Sequence, residues 1–478
     1  MLVATALAVV MPMLTYLGDQ LVFTPPDAAT QAALVSRFVM LGILYTAGAA
    51  WLLQRRVEYP AFWVGLGCST PLLMLALGYY LFTAFSADWA WGGAALILGL
   101  GYMALSKMAL DRPNAPLGTD LIRVLLISSA HLGLSLAAVI WLVDATLTLA
   151  FAIQLITLSL LQQRFQLQLL PWVIRLVLAV VVCRLTFNPW LLTYDSGTHW
   201  SLWTYGGSTL CAFAGAWILR QDQKMTAWLQ GAAAHLLVLT LAAEVRWWLY
   251  DGDIFRHEYS FLEASLNTLI WGTAGYVYLW RAKLSHYLIR FYQVIATLHL
   301  LAAAANYLLW VVLAYNPLWH ATEISATPLW NLLLLSYGLP SLLLLALWRL
   351  LPGKLGSRAA MLAGLNWLLF ISLEIRHLWQ GELSLLNPTP DGELYTYSAV
   401  WLLMASGALL GGSWLQQRSL YRGGMVLLLL VVAKLFLVDM SDLTGLWRVA
   451  SFMGLGLGLL ALAWLHQRLM PTPAQAMN

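Results

Sequence analysis

The sequence predicts an all-α integral membrane protein with about sixteen transmembrane helices. Three observations predict this fold class. Apolar residues make up 61% of the 478 residues and charged residues only 10%, against roughly 25% charged residues in ordinary soluble domains. Apolar stretches of about 20 residues, the length that crosses a bilayer, recur along the whole chain. Positive charge is concentrated in every second connection between these stretches.

Each apolar stretch is justified as a span by its length and its low charge. A helix of about 20 apolar residues crosses the hydrocarbon core of a bilayer. Short connections between the stretches leave no room for a separate soluble domain. The predicted spans lie at about 2–17, 33–53, 61–85, 88–109, 119–142, 145–163, 171–187, 201–219, 226–249, 260–280, 287–314, 328–348, 357–379, 395–416, 423–440 and 445–467.

The connections sort by charge. Cytoplasmic loops of membrane proteins carry an excess of Lys and Arg. The loops after even-numbered spans are therefore predicted to be cytoplasmic, together with the N-terminus and the C-terminus. Basic residues that follow even-numbered spans are Arg55, Arg56, Lys107, Arg112, Arg164, Arg220, Lys224, Arg281, Lys283, Arg349, Lys354, Arg358, Arg418, Arg422 and Arg468. Acidic residues that follow odd-numbered spans are Asp19, Asp27, Asp88, Asp144, Asp195, Asp251, Asp253, Glu323, Glu382, Asp391, Glu393, Asp439 and Asp442.

Composition also excludes several classes of function. The net charge is only +4, and no run of basic residues is long enough to indicate a nucleic-acid partner. Cys68, Cys183 and Cys211 lie inside apolar stretches, so no disulfide framework is predicted. No His-Glu-x-x-His or Cys-x-x-Cys spacing is present, and neither a metal nor a cofactor is predicted.

Internal repeats divide the chain into blocks of four spans. Similar span ends recur at intervals of about 110 to 140 residues. Because four is an even number, successive blocks enter the membrane in the same orientation. Such parallel repeats lower the expectation of a transporter built from inverted repeats. The predicted division is an orphan first helix and outer loop at 1–30, repeat unit 1 at 31–143, unit 2 at 144–258, unit 3 at 259–392, an incomplete three-helix unit 4 at 393–469 and a disordered tail at 470–478.

The orphan helix and the incomplete last unit predict that the chain is the C-terminal part of a longer array. Several motifs are concentrated in about the last hundred residues. They are Glu374-Ile375-Arg376-His377-Leu378-Trp379, Glu393-Leu394-Tyr395, Tyr397-Ser398, Lys434-Leu435-Phe436-Leu437-Val438-Asp439, Leu446-Trp447-Arg448-Val449-Ala450-Ser451-Phe452 and Gly454-Leu455-Gly456. This part of the chain resembles the bacterial predicted membrane protein family called domain of unknown function 2339. The resemblance implies an inner-membrane location, but it implies no activity and therefore no catalytic residues.

Ionisable residues near the predicted outer ends of spans form the candidate site, because an unpaired charge inside a bilayer costs several kcal/mol. In one interpretation the arginines line an outer cavity and bind an anionic head group, phosphate or carboxylate. In the other, which we favour, interhelical ion pairs fix how the repeat units dock. Residues two apart on a helix point in different directions, so acid and arginine of one helix are expected to pair elsewhere. The candidate residues are Glu244, Arg246, Glu374, Arg376, Lys434, Asp439 and Arg448.

Other polar residues inside spans receive the same two interpretations. Arg175 and Arg184 lie on the seventh predicted span and Glu263 lies early in the tenth. We expect packing roles for the two arginines, whereas the sequence does not choose between the two types of cation as the partner of Glu263. His131 and His235 recur at equivalent places in their repeat units. Because further metal ligands are missing, each histidine is predicted to make an interhelical hydrogen bond.

Three classes of function follow, and the structural one is favoured. The first is a structural or envelope-organising membrane protein that contacts the lipid bilayer, anionic lipid or other envelope proteins. The second is a transporter or flippase for an anionic lipid or solute. The third is a membrane enzyme acting on a lipid-linked substrate at the outer face. No two acids have a diagnostic spacing, which disfavours the enzyme. Its acids would come from Asp19, Asp27, Glu382, Asp391 or Glu393.

Overall fold

The described part of the protein is helical throughout. Every regular element in it is a helix, and none is a strand. Ten helices in the described residues are long and apolar enough to cross a membrane. The prediction of an all-helical protein with many apolar helices is therefore confirmed for these residues. The computed structural model describes residues 58–83, 86–111, 119–142, 145–188 and 198–439, together with 35–36, 39–48, 51 and scattered positions between 449 and 464.

The chain forms two compact units, Met1–Phe255 and Arg256–Asn478. In the first unit, a π-helical segment, Ser201–Gly206, continues directly into the α-helix Gly207–Ile218. The described helices of this unit are α1 (Val39–Gly48), α2 (Pro60–Thr83), α3 (Trp89–Asp111), α4 (Asp120–Trp141), α5 (Ala145–Phe165), α6 (Leu170–Phe187), α7 (Gly207–Ile218) and α8 (Gln223–Leu249).

The second unit contains three further π-helical segments among its described residues: Tyr307–Ala314, Leu334–Gly338 and Leu435–Asp439. The described α-helices of this unit are α9 (Phe261–Leu284), α10 (Ile289–Asn306), α11 (Leu339–Leu350), α12 (Gly353–Gln380), α13 (Asp391–Trp414) and α14 (Arg418–Lys434).

The predicted spans have different outcomes. The spans predicted at 201–219, 260–280 and 328–348 are helical over most of their length, but they are not among the ten candidate spans. The span predicted at 33–53 contains the helix Val39–Gly48, which is also too short to be one of the ten. The spans predicted at 2–17 and 445–467 fall outside the residues described or almost entirely so. The total of sixteen, the repeat units and the sides of the two termini therefore stay predictions.

Local chemistry explains where several helices begin and end. Asp222 caps α8, since its carboxylate accepts the backbone N–H groups of Lys224 and Met225. Ser260 caps α9 in the same way by accepting the N–H of Glu263. Gly381, with a φ of 73°, ends α12 in a conformation that residues with a Cβ rarely adopt. Of these ends, the one at Gly381 carries candidate residues, Glu374 and Arg376.

Small residues bring helices of the first unit together. A Cβ atom added to Gly133 of α4 would lie 2.6 Å from the Cα of Gly99 of α3, closer than atoms can approach. The two backbones therefore touch at this pair of glycines. This close packing is typical of membrane helices, whose association depends on van der Waals contact because lipid is as apolar as the side chains.

A buried polar network holds the second unit. The Asn306 side-chain amide of α10 donates to the carbonyl of Ala264 at 2.7 Å and to the hydroxyl of Thr268 at 2.8 Å on α9. The next residue, Tyr307, opens the π-helical segment and donates to Asn366 of α12. Hydrogen bonds of this kind fix helix positions inside a membrane, where the polar groups have no water as an alternative partner.

Candidate functional site

Arg376, near the end of α12, is enclosed by the connection that follows this helix. Its side chain is 6% exposed. A guanidinium group has five N–H donors, and the geometry supplies five acceptors: one for Nε, two for Nη1 and two for Nη2. The acceptors are the carbonyls of Leu383, Ser384 and Asn387, the Thr389 hydroxyl and the Glu393 carboxylate.

Glu393, in the first turn of α13, is the anionic partner of Arg376. Its Oε1 lies 3.1 Å from Nη1, and its side chain is fully buried. Tyr397 also donates to Oε1 at 2.9 Å, and Gln380 donates to Oε2. The carboxylate thus joins the end of α12 to the start of α13, and a buried ion pair of this kind is stable only with such additional hydrogen bonds.

Glu374 does not pair with Arg376. Its Oε2 accepts the backbone N–H of Leu329 at 3.2 Å, whereas its buried Oε1 has no hydrogen-bond partner among the described residues. His377, one turn further on, lies 2.9 Å from the Gly381 carbonyl and 3.0 Å from the Ser325 carbonyl through its two ring nitrogens. Glu374 and His377 therefore hold the connection that precedes α11.

Lys434 and Asp439 form a second buried ion pair. The Lys434 ammonium group lies 2.6 Å from the Asp439 carboxylate and donates also to the Leu394 carbonyl and the Ser398 hydroxyl of α13. An ammonium group has three N–H donors, so all three have acceptors. Ser398 in turn donates to Asp439. Arg448, which we also included in the candidate site, lies outside the described residues.

The first unit carries a similar arrangement at the end of α8. Glu244 accepts the Ser201 hydroxyl at 2.7 Å and lies 2.9 Å from Nε2 of His199. Arg246 donates from Nε to the Ile254 carbonyl at 2.7 Å. In α8, as in α12, the acid binds the segment before the preceding helix and the arginine binds the connection that follows.

The polar residues inside the spans are held by neighbouring helices. Arg184 of α6 donates to the Thr148 hydroxyl of α5 at 2.8 Å. His131 of α4 lies 3.2 Å from the Gln154 amide oxygen of α5. His235 of α8 lies 3.0 Å from the Thr186 hydroxyl of α6. The prediction of interhelical hydrogen bonds for the two histidines is confirmed.

The remaining polar candidates divide between burial and exposure. Glu263 is buried at the start of α9. Of the acids considered for an enzyme, Glu382 and Asp391 are exposed, and Glu393 is occupied by Arg376. Asp19 and Asp27 lie outside the described residues. The described residues hold no cluster of three potential metal ligands.

Sequence reasoning missed most partners of the candidate residues. The sequence does indicate Glu393 as a partner, because an acid in the first turn of an apolar helix must face other protein groups or water. No sequence feature distinguishes His199 and Ser201, the partners of Glu244, from other polar residues. The carbonyl acceptors of Arg376 have no side-chain signature at all. What the arrangement does chemically is to pair Arg376 and Lys434 with carboxylates of their own chain, and Arg246 with a backbone carbonyl.

Comparison with known families covers almost the whole chain. The sequence model of the family described as Predicted membrane protein (DUF2339) matches residues 1–469. The match is thus much longer than about the last hundred residues, where the resemblance was expected to be specific. No curated protein and no solved structure significantly matches the chain.

Proposed function

Because the chain belongs to the DUF2339 family of predicted membrane proteins, we propose that it is a structural, envelope-organising protein of the bacterial inner membrane. Its buried charges fasten the connections at the outer ends of its helices. The rigid surface produced in this way serves as a scaffold for other envelope proteins and for the surrounding lipid. This role is preferred to transport of an anionic lipid or solute, and to catalysis on a lipid-linked substrate.

The occupied donors of Arg376 carry the proposal. An arginine that binds a phosphate or carboxylate ligand must present free N–H groups to it. Here all five donors have acceptors in the same chain, and one of these is a buried carboxylate. A ligand anion would have to displace Glu393 and leave that charge buried without a partner, at a cost of several kcal/mol.

The repeated geometry supports the proposed topology of about sixteen spans in co-oriented four-helix units. The acid and the arginine near the end of α8 bind the segments before and after the last two helices of their unit, and those of α12 do the same. Since α12 is the fourth span after α8, equal surroundings at their ends are expected if both units enter the membrane from the same side.

The experiment compares Arg376→Gln with Arg256→Gln. Arg256 forms an ion pair with Glu258 in which the two side chains are 50% and 65% exposed, so it is a matched control at the surface. Each variant is measured for folded protein in the membrane and for envelope integrity relative to a deletion strain. A structural role predicts that Arg376→Gln loses folded protein and envelope integrity together, and that growth at low temperature restores both. Wild-type amounts of folded protein with lost integrity would contradict the proposal.

A further inference from the structure

Arg175 of α6 lies between two tryptophans and carries a charge that the described chain does not neutralise. Its guanidinium carbon is 4.8 Å from the ring of Trp172, one turn earlier on α6, and 5.9 Å from the ring of Trp228 on α8. Its Nε is shielded from solvent and has no acceptor among the described residues. Arg175 also forms no ion pair with any of them. This differs from Arg376, whose donors are all occupied.

Arg175 and Trp228 lie at the same depth at one end of the first unit. Arg175 and Trp228 each lie five residues after the first residue of their helix, Leu170 and Gln223, which is about 7.5 Å along a helix axis. The starts of α6 and α8 share one end, because Gln163 near the end of α5 donates to the Ile218 carbonyl at the end of α7. Trp172 is 66% exposed and Trp228 39% exposed, as expected for indoles at a membrane interface.

Two carboxylates at this end are engaged with backbone instead of arginine. Asp120 accepts the N–H groups of Gln168 and Leu169 in the connection before α6. Asp222 accepts two N–H groups at the start of α8. Lys224, one turn before Trp228 on the same face of α8, adds a positive charge at the start of this helix.

We propose that the starts of α6 and α8 form a binding site for the phosphate group of an anionic phospholipid. The Arg175 guanidinium binds the phosphate oxygens through planar, paired N–H donors, and the indoles of Trp172 and Trp228 flank the glycerol and upper acyl region. A cation held between membrane helices at interface depth is typical of sites for acidic head groups. This site lies at the opposite end of α8 from Glu244 and Arg246, and it is independent of the structural role proposed above.

The test uses native mass spectrometry of the full chain in detergent, titrated with phosphatidylglycerol or with phosphatidylcholine of the same acyl chains. We expect phosphatidylglycerol to be retained in preference, and Arg175→Gln to weaken its binding about tenfold, which is the loss of one charge-assisted hydrogen bond. Arg220→Gln is the matched control, because Arg220 lies exposed at the same end and stacks 5.2 Å from Trp217 of its own segment. It is expected to bind like the wild type.

Three outcomes would overturn the assignment: equal retention of the two lipids, equal binding by Arg175→Gln and the wild type, or displacement of the lipid by inorganic phosphate, which would indicate a soluble anion instead. If Arg175→Gln does not fold, Arg175→Lys and Trp172→Leu replace it. Lysine keeps the charge without the paired donors and leucine removes one indole, so both are expected to weaken phosphatidylglycerol binding. Unchanged binding by both variants would also overturn the site.

Discussion

Arg376 and Lys434 show how a cation is retained at the end of a membrane helix. Each cation has as many acceptors as it has N–H donors. One acceptor of each is a buried carboxylate, Glu393 for Arg376 and Asp439 for Lys434. Complete pairing matters here because a buried charge that has lost its partner is far more costly than the intact pair.

The same residues explain why sequence reasoning located the cations but not their surroundings. Acidic and basic side chains stand out in an apolar sequence, whereas the backbone carbonyls that bind Arg376 do not.

Glu393→Gln is expected to destabilise the protein by about 3–5 kcal/mol, because it leaves the buried Arg376 without a counter-charge. Glu258→Gln, which removes the acid of an exposed pair, is expected to cost at most about 1 kcal/mol. Both free energies of unfolding can be measured by equilibrium unfolding in mixed detergent–lipid micelles. Equal losses in the two variants would show that burial of the pair is unimportant.

Leu329 has a left-handed backbone, with a φ of 65°, in the connection that precedes α11. Its N–H donates to Glu374 and its side chain is half exposed. Leu329→Gly should therefore relieve backbone strain and raise the free energy of unfolding by roughly 0.5–1 kcal/mol. Leu386→Gly is the control, because Leu386 is almost fully exposed and its backbone is not left-handed. A gain in the control as large as in Leu329→Gly would rule out the strain explanation.

At the scale of helices, packing is set by residues too small to attract attention in a hydropathy profile. The contact of α3 and α4 depends on Gly99 and Gly133, which let the backbones touch. The apolar stretches predicted most helices well, because length and hydropathy decide whether a helix can span a bilayer. They did not predict the π-helical segments, since one extra residue per turn leaves an apolar stretch apolar.

Gly133→Ala is expected to push α3 and α4 apart and to lower stability by roughly 1–3 kcal/mol, the usual effect of overpacking. Gly101→Ala is the matched control on α3, because an added Cβ there meets no atom within 4 Å. It should be neutral or stabilising by up to about 1 kcal/mol, since alanine is the better helix former. Equilibrium unfolding of the two variants measures the difference. A neutral Gly133→Ala would show that the helices have room to adjust.

For the whole molecule, the sequence pattern predicts the number of spans, the repeat units and the sides of the termini, and the described structure bears on the helices alone. Ten helices have the length and composition of spans, and the family match extends over residues 1–469. The alternation of charge between connections remains the basis for the proposed sidedness. Folded geometry alone does not orient a protein in a bilayer, because orientation depends on the charge of the loops during insertion.

Labelling of single cysteines tests that sidedness. In a chain lacking Cys68, Cys183 and Cys211, Lys354→Cys places one thiol in the first turn of α12, and Asp391→Cys places one at the start of α13, after the other end of α12. An impermeant maleimide is expected to label the cysteine at 391 in intact cells, and the one at 354 only after the cells are opened. The cysteine-free chain controls for background. Labelling of both positions in intact cells would refute the proposed topology.

The π-helical segment after Asn306 has a consequence for comparing this chain with its relatives. A π turn contains one residue more than an α turn, so the segment Tyr307–Ala314 stores an insertion without lengthening a loop. Asn306 binds Thr268 and Tyr307 binds Asn366. These two hydrogen bonds anchor the first turn of the π-helical segment. A single-residue deletion between Leu308 and Leu313 should therefore be absorbed by rewinding to an α-helix. In an alignment of homologues, gaps inside an apolar span should be found at this place.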